Sequence, residues 1–482
     1  MMFNSVDFAI FLSTFFGLYW FVAKDNLKIQ NLLIVIGSYL FYGLWDWRFL
    51  FLIFLSSVVD YSVGRKLEFE ANQVKRKILL WSSIVVNLGI LGFFKYYNFF
   101  LENFIEAFSF FGQEIQGNSL NIILPVGISF YTFQTLSYTI DVYKRKLKPT
   151  KDFIVFSAFV SFFPQLVAGP IERATNLLPQ FFKKRTFSYE KAADGMRQIL
   201  WGLFKKIVIA DNCAEYANLI FNHSDQCTGS TLVVGAVFFT FQIYGDFSGY
   251  SDIAIGTARL LGFDLKKNFS FPFFSRDIAE FWRRWHISLT TWFRDYLYIP
   301  LGGSRRGTFM KIRNTFIIFL VSGFWHGANW TFIVWGLLHA TFFLPLLLFK
   351  RNRKHLDIVA KGKIFPSFRE FVAMLSTFGL TVFAFIFFRA NDIGHAISYI
   401  SEVFSPSLFT TPDFIGMMEA IPIAFLVVLF ILIEWIGREG EYAIEGIGLR
   451  WWRPLRYGLY YAIIGLIFLF GNETQEFIYF QF

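Results

Sequence analysis

The sequence predicts an all-α polytopic membrane protein, and three observations carry that reading. Apolar residues make up 55% of the 482 residues, and Phe alone occurs 68 times. Charged residues are 17%, against about 25% in soluble domains. Apolar runs also recur along the whole chain, with mean hydropathy +0.47. A soluble fold has too few polar residues here to cover that much apolar surface. Lipid tails carry no such penalty, and helices satisfy their own backbone groups within lipid.

A spanning helix needs roughly 20 mainly apolar residues. In chain order the candidates are Phe8–Ala23, Asn31–Trp45, Phe49–Val63, Ile78–Phe94, Ile122–Ile140, Phe153–Ala168, Leu232–Phe247, Phe316–Gly323, Thr331–Phe349, Phe371–Phe388, Ile421–Ile436 and Tyr457–Phe470. Several fall short of a full span and read as tilted, kinked or re-entrant, which gives about ten to twelve transmembrane and re-entrant helices. No Lys or Arg precedes the first run and no small-residue cleavage site follows it, so it is expected to remain as the first span. Two cysteines, Cys213 and Cys227, allow at most one bridge, and plain thiols are the simpler expectation.

Net charge is +10, from 45 basic and 35 acidic residues. Basic clusters fall at Arg65–Lys77, Lys144–Lys151 and Lys350–Lys363, while Glu102–Glu114 carries three Glu and no base. The positive-inside rule places the basic clusters in the cytoplasm, the acidic stretch outside and, counting three spans back from Arg65, the N-terminus outside. These clusters read as topology signals. No basic stripe interleaved with aromatics points to nucleic acid.

With no linker, low-complexity tract or inverted repeat, one membrane domain over 1–482 is expected. Glu190–Ala210 reads as an amphipathic interfacial helix. Met196, Ile199, Leu200 and Leu203 form one face, and Lys191, Arg197, Lys205 and Lys206 lie among headgroups. Ser248–Pro300 mixes many charges with aromatics. Since charges at membrane depth cost about 2.5–3.5 kcal/mol each, this region is expected to form re-entrant or interfacial helices around a polar interior.

Two of the six histidines stand out. His326 lies in the uncharged run Val321-Ser-Gly-Phe-Trp-His-Gly-Ala-Asn-Trp330. A neutral imidazole there can take a proton from a hydroxyl as general base. Gly323 and Gly327 permit close approach of a helix or substrate. A histidine bonding across helices is an equal reading of the same residues. His286 lies in Phe281-Trp-Arg-Arg-Trp-His-Ile-Ser-Leu-Thr290. On a continuous helix it shares a face with Trp282. Arg283 and Arg284 can steer an anionic donor, although an interfacial Trp/Arg anchor belt has the same composition. His223, His339, His355 and His395 read as structural or solvated. Asp246 and Asp252 lack a third ligand for a metal, and bonding to Arg or backbone is expected. No G-x-S-x-G, Walker, G-x-G-x-x-G or His-Glu-x-x-His pattern occurs.

Five segments in order carry a resemblance: Leu124-Pro-Val-Gly-Ile-Ser-Phe-Tyr-Thr-Phe-Gln134, Phe163-Pro-Gln-Leu-Val-Ala-Gly-Pro-Ile-Glu-Arg173, Asp246-Phe-Ser-Gly-Tyr-Ser-Asp252, Phe281-Trp-Arg-Arg-Trp-His286 and Ser322-Gly-Phe-Trp-His-Gly327. Together they resemble the membrane-bound O-acyltransferase (MBOAT) family, in the bacterial branch that O-acetylates exported polysaccharides such as alginate and D-alanylates teichoic acid. The resemblance implies a ring of helices around a central tunnel, with His326 catalytic and His286 a second essential position. It implies an acetyl group moved from cytoplasmic acetyl-CoA, with no permanently bound cofactor, toward an exported polysaccharide acceptor. An exported SGNH-hydrolase-like O-acetyltransferase is the implied partner, and the bacterial cytoplasmic membrane the implied location. D-alanyl or other acyl transfer to a cell-wall polymer, and a polysaccharide transporter or flippase, are the alternatives. Finally, residues 476–482, Glu-Phe-Ile-Tyr-Phe-Gln-Phe, read either as an interfacial aromatic anchor or as an acyl-relay motif. They are similar to the C-terminal motif of the D-alanyl transferase's small membrane partner, which implies that Tyr479 carries the acyl group.

Overall fold

A computed structural model describes residues 1–110, 117–167, 169–305, 307–471 and 475–478. Among them every regular element is a helix. They group into two compact units, Met1–Met196 with Ala254–Lys266, and Arg197–Ile253 with Lys267–Phe482. Six helical stretches among the described residues are long and apolar enough to cross a membrane: Leu27–Phe69, Gln73–Phe110, Gly229–Leu260, Trp330–Leu348, Phe368–Arg389 and Met417–Gly437. Val6–Val22 and Phe153–Leu166 are shorter apolar helices.

The first stretch holds two of the expected runs. Leu27–Asp46 and Leu50–Phe69 meet at a short turn, where the Asp46 carboxylate accepts the Arg48 N–H at 2.9 Å. The run at Ile122–Ile140 is only partly helical. Its helix starts at Ile128, because Pro125 and Gly127 (φ 73°) cannot continue one upstream. The short run Phe316–Gly323 is the second half of a longer helix, Gly307–His326.

In the first unit, polar contacts fix the helix register. Asp60, fully buried, accepts from Thr139 Oγ1 at 2.8 Å, from Asn87 Nδ2 at 2.8 Å and from the Ser83 hydroxyl. Those partners tie Leu50–Phe69 to the Gln73–Leu91 and Ile128–Tyr143 helices. Such interhelical bonds contribute about 0.6–2 kcal/mol each in membranes. Arg76 is buried and donates to the Leu67 carbonyl and, at 2.8 Å, to the Tyr143 carbonyl. Its guanidinium therefore joins the C-terminal ends of the Leu50–Phe69 and Ile128–Tyr143 helices, where the two N-terminal basic clusters begin.

In the second unit, Gly307–His326 and Trp330–Leu348 form a tight hairpin. Asn329 caps the return helix, accepting from Thr331 N–H at 3.0 Å. Close approach requires glycine: a Cβ on Gly323 would collide with the Phe332 carbonyl, and one on Gly327 with the Phe332 ring. The Trp330–Leu348 helix packs in turn on Phe368–Arg389. The amphipathic reading of 190–210 needs correction. The helix at Tyr189–Leu203 runs into a widened turn at Phe204–Asp211. Lys205 and Lys206 are buried there rather than among headgroups, because carboxylates on the neighbouring Gly229–Leu260 helix and on Asp211 receive them.

Candidate active site

His326 ends the Gly307–His326 helix and is 3% exposed. Its ring meets Trp335 and Phe388 edge-on, with centroids 5.0 and 5.2 Å away. Trp335 comes from the other arm of the hairpin, so the glycine-permitted contact between the two arms is what places this aromatic wall.

His286 is held differently. The helix expected to carry both Trp282 and His286 stops at Arg284, and a second begins at Ile287. His286 sits in the break with left-handed backbone angles, φ 42° and ψ 53°. Trp282 accordingly turns elsewhere, and its Nε1–H donates to His339 Nδ1 at 3.2 Å. A left-handed non-glycine residue costs on the order of 1–3 kcal/mol and persists only when its surroundings over-determine it. They do so here. Ser270 N–H donates to the Arg284 carbonyl at 3.0 Å, Ile287 N–H to the Asn268 carbonyl at 2.8 Å, and Ser288 Oγ to Asn268 Oδ1 at 2.5 Å.

The two imidazoles converge on one side chain. Trp325 lies 4.8 Å from the His326 ring and 6.0 Å from the His286 ring. His286 also packs against Phe247 at 4.7 Å. Aromatic rings thus wall both histidines, and His286 is 1% exposed.

The same unit holds a cavity of about 660 Å³. Its wall includes Ile287, adjacent to His286, and Ser322, one helical turn before His326. Trp282, Leu289, Phe319 and Phe343 make it apolar, while Arg283, Arg294, Lys311, Lys350 and Arg353 supply cations with no carboxylate in the lining. That volume lies in the usual range for a small-molecule site.

The expected donor arginines part company. Arg283 lines the cavity and also braces it, donating to the Asn352 carbonyl at 2.8 Å and the His355 carbonyl at 2.6 Å. Arg284 turns to Glu280, with 2.8 Å between Nη2 and Oε1, in a cluster shared with Arg276. Arg276 in turn pairs with Asp357 at 3.0 Å and holds that exposed carboxyl below its ordinary range.

The model of the MBOAT, membrane-bound O-acyltransferase, family matches residues 32–387. The chain belongs to this family. It is similar to the probable alginate O-acetylase of Azotobacter vinelandii, 39% identical over 92% of this chain and 86% of the relative. It is also similar to the peptidoglycan O-acetyltransferase of Helicobacter pylori, 33% identical over 95% of this chain and 93% of the relative. A teichoic acid D-alanyltransferase of Bacillus subtilis matches at 29% over 57% of this chain and 71% of the relative. The protein is thus a multi-pass membrane O-acyltransferase.

The same unit of this acyltransferase holds a buried charge cluster, beside Phe247, which packs on His286. Asp252 pairs with Lys205 at 2.5 Å and accepts from Gln198 Nε2 at 2.8 Å. Asp246 pairs with Lys206 at 2.8 Å, and Lys206 also meets Asp211 at 2.7 Å. Asp252 is thus held by Lys205 and Gln198, and Asp246 by Lys206 and the Ile478 backbone amide, so the expected backbone bond is present at Asp246 while lysine stands where arginine was expected. Nearby, Glu434 accepts from Tyr244 Oη at 2.7 Å. Three further parts of the site were missed in the sequence: Trp335, Phe388 and Phe247. Apolar runs are full of aromatics, and nothing in the sequence separates a wall of the site from lipid-facing surface. Tyr479 lies outside the described residues; Phe477 and Ile478, just before it, are buried.

Proposed function

We propose that this acyltransferase takes the acetyl group of cytoplasmic acetyl-CoA and passes it across the membrane for O-acetylation of an exported, alginate-like polysaccharide. The observation that carries this reading is the cavity: its cations suit the phosphates of coenzyme A, and its lining includes Ile287, next in the chain to His286, and Ser322, one helical turn before His326. Relatives named as O-acetylases that cover most of the chain support acetyl over D-alanyl as the group moved.

In the proposed reaction His326 is the general base and Tyr479 the first acceptor. His326 takes the Tyr479 phenolic proton as the oxygen attacks the thioester carbonyl. The C–O ester bond forms, the C–S bond breaks, and the proton passes to the sulfur, releasing coenzyme A as the thiol. An exported hydrolase-like acetyltransferase then moves the acetyl group from Tyr479 to a polysaccharide hydroxyl, which restores the tyrosine. Holding donor and acceptor in one site supplies the proximity. The orientation proposed has the Arg65–Lys77 and Lys144–Lys151 loops in the cytoplasm and the N-terminus outside. The Arg76 bridge between the helix ends where those loops begin supports their lying on one side.

Vesicles reconstituted with the full chain and given labelled acetyl-CoA test the chemistry. Mass spectrometry should find acetyl on Tyr479, and Tyr479→Phe should block both that label and polymer acetylation. Normal acetylation by Tyr479→Phe with no label on the residue would leave it an aromatic anchor only. Cysteine labelling from outside should fail in both basic loops and succeed near Gln113.

A further inference from the structure

Past the Arg453–Phe470 helix, residues 475–478 lie along the Gly229–Leu260 helix in the second unit, and what holds them is mostly backbone. Lys206 Nζ donates to the Gln475 carbonyl at 3.0 Å. The Ile478 N–H donates to Asp246 Oδ2 at 2.7 Å, while Asp246 Oδ1 stays 2.8 Å from Lys206. Between those two anchor points the Phe477 ring packs on Tyr250 at 4.4 Å and on Phe247 at 6.1 Å. Asp246, Lys206, Phe477 and Ile478 are all essentially buried.

We infer that Lys206 and Asp246 form a clamp that reads the backbone of residues 475–478, and so positions the segment leading into Tyr479 within one aromatic ring of His286. That ring is Phe247, which touches Phe477 on one side and His286 on the other. Charge neutralisation alone does not account for the arrangement. Lys206 already has Asp211 as counter-ion at 2.7 Å. Asp246 adds an acceptor for a buried amide past the Arg453–Phe470 helix, where an unsatisfied backbone group is costly. Bonds from ionised partners are the stronger kind. Asp246 and Lys206 are therefore positioning residues. Their catalytic importance rests on the relay reading of Tyr479, whereas the docking does not.

Hydrogen exchange of the purified full-length protein, read by mass spectrometry over 475–478, tests the docking. The comparison uses wild type, Asp246→Ala, Asp246→Asn, Phe477→Ala and Tyr479→Phe. Asp246→Ala should speed exchange of these amides about 10–100-fold, the range that a hydrogen bond to a charged group commands. Asp246→Asn keeps a carbonyl acceptor and should recover part of the protection. Phe477→Ala, which alters the tail alone, should release the segment whatever Asp246→Ala does to folding. Tyr479→Phe should leave protection intact, so failure of the relay would not be mistaken for failure of the clamp. In the acyl-transfer assay, Asp246→Ala and Phe477→Ala should lower kcat by up to about 10²-fold, the scale of a misplaced reacting group, with the donor KM unchanged. Unaltered protection in both variants overturns the clamp. Lost protection with unaltered kcat overturns its positioning role.

Discussion

His326 ends a helix of 20 residues, whereas His286 occupies the break between two helices of 7 residues each. The first is placed by packing. Glycines let two helices close, and the second helix brings Trp335 against the imidazole. The second is placed by its backbone, with left-handed angles enforced from both sides by residues 268–270. Both end against Trp325. One side chain is therefore sensitive to the volume of its neighbours, the other to the conformation of its own residue. That difference sets what each substitution should do.

The largest effect is expected at His326. His326→Ala should lower acyl transfer about 10²–10⁴-fold, the usual contribution of a general base, with membrane insertion and folding unchanged. Insertion is checked by fluorescence-detected chromatography of the solubilised protein, and transfer by labelled acetyl-CoA. A wild-type rate in the folded variant removes His326 from the chemistry. His286→Ala should cost less, about 10–10²-fold, if it shapes the site without carrying the proton. Binding of a coenzyme A analogue separates the roles. If neither rate nor binding changes, the two histidines are not parts of one site.

The same contrast explains what the sequence makes legible. The apolar runs, the basic loops and the His326 segment can be read directly, since regular helices repeat a pattern and a lone polar residue stands out against it. Gly323 and Gly327 were readable as close-approach positions because only a missing side chain allows that approach. Helix spacing puts His286 on a continuous helix, because it carries no sign of a break fixed by Asn268 and Ser270, some 16 residues or more upstream. The interfacial expectation for Lys205 and Lys206 fails for a related reason. Their partners, Asp252 and Asp246, lie about 40 or more residues further on, and pairing across that distance has no local signature. The cavity belongs to the same class, as Lys311, Lys350 and Arg283 come from separate segments.

The cavity cations give a smaller effect that sharpens the comparison from the donor side. Lys350→Glu reverses an exposed charge on the lining. It should raise the acetyl-CoA KM roughly threefold to tenfold and leave kcat nearly unchanged, since exposed charge pairs contribute at most about 1 kcal/mol. Added salt should narrow the gap to wild type, because screening acts on exposed charges. A kcat effect without a KM effect would place the donor phosphates elsewhere.

The smallest effect is the most direct test of the difference between the histidines. His286→Ala and His286→Gly both remove the imidazole, so both should lose the same activity. They differ in what they ask of the backbone. Alanine keeps a Cβ in the left-handed region, at a cost of roughly 1–2 kcal/mol. Glycine adopts φ 42° freely, but gives back about 0.5–1 kcal/mol through the greater freedom of its unfolded chain. The net expectation is that His286→Gly is more stable than His286→Ala by roughly 0.5–1 kcal/mol, read as a higher midpoint in thermal unfolding of the solubilised protein. The control lies at the other histidine, which ends a right-handed helix: there His326→Gly should be less stable than His326→Ala, because glycine weakens a helix by up to about 1 kcal/mol relative to alanine. Opposite signs at the two positions follow only if one histidine is held by strained backbone and the other by regular helix. The same sign at both would mean that position 286 is not held in the left-handed region, and the contrast between the two would fail.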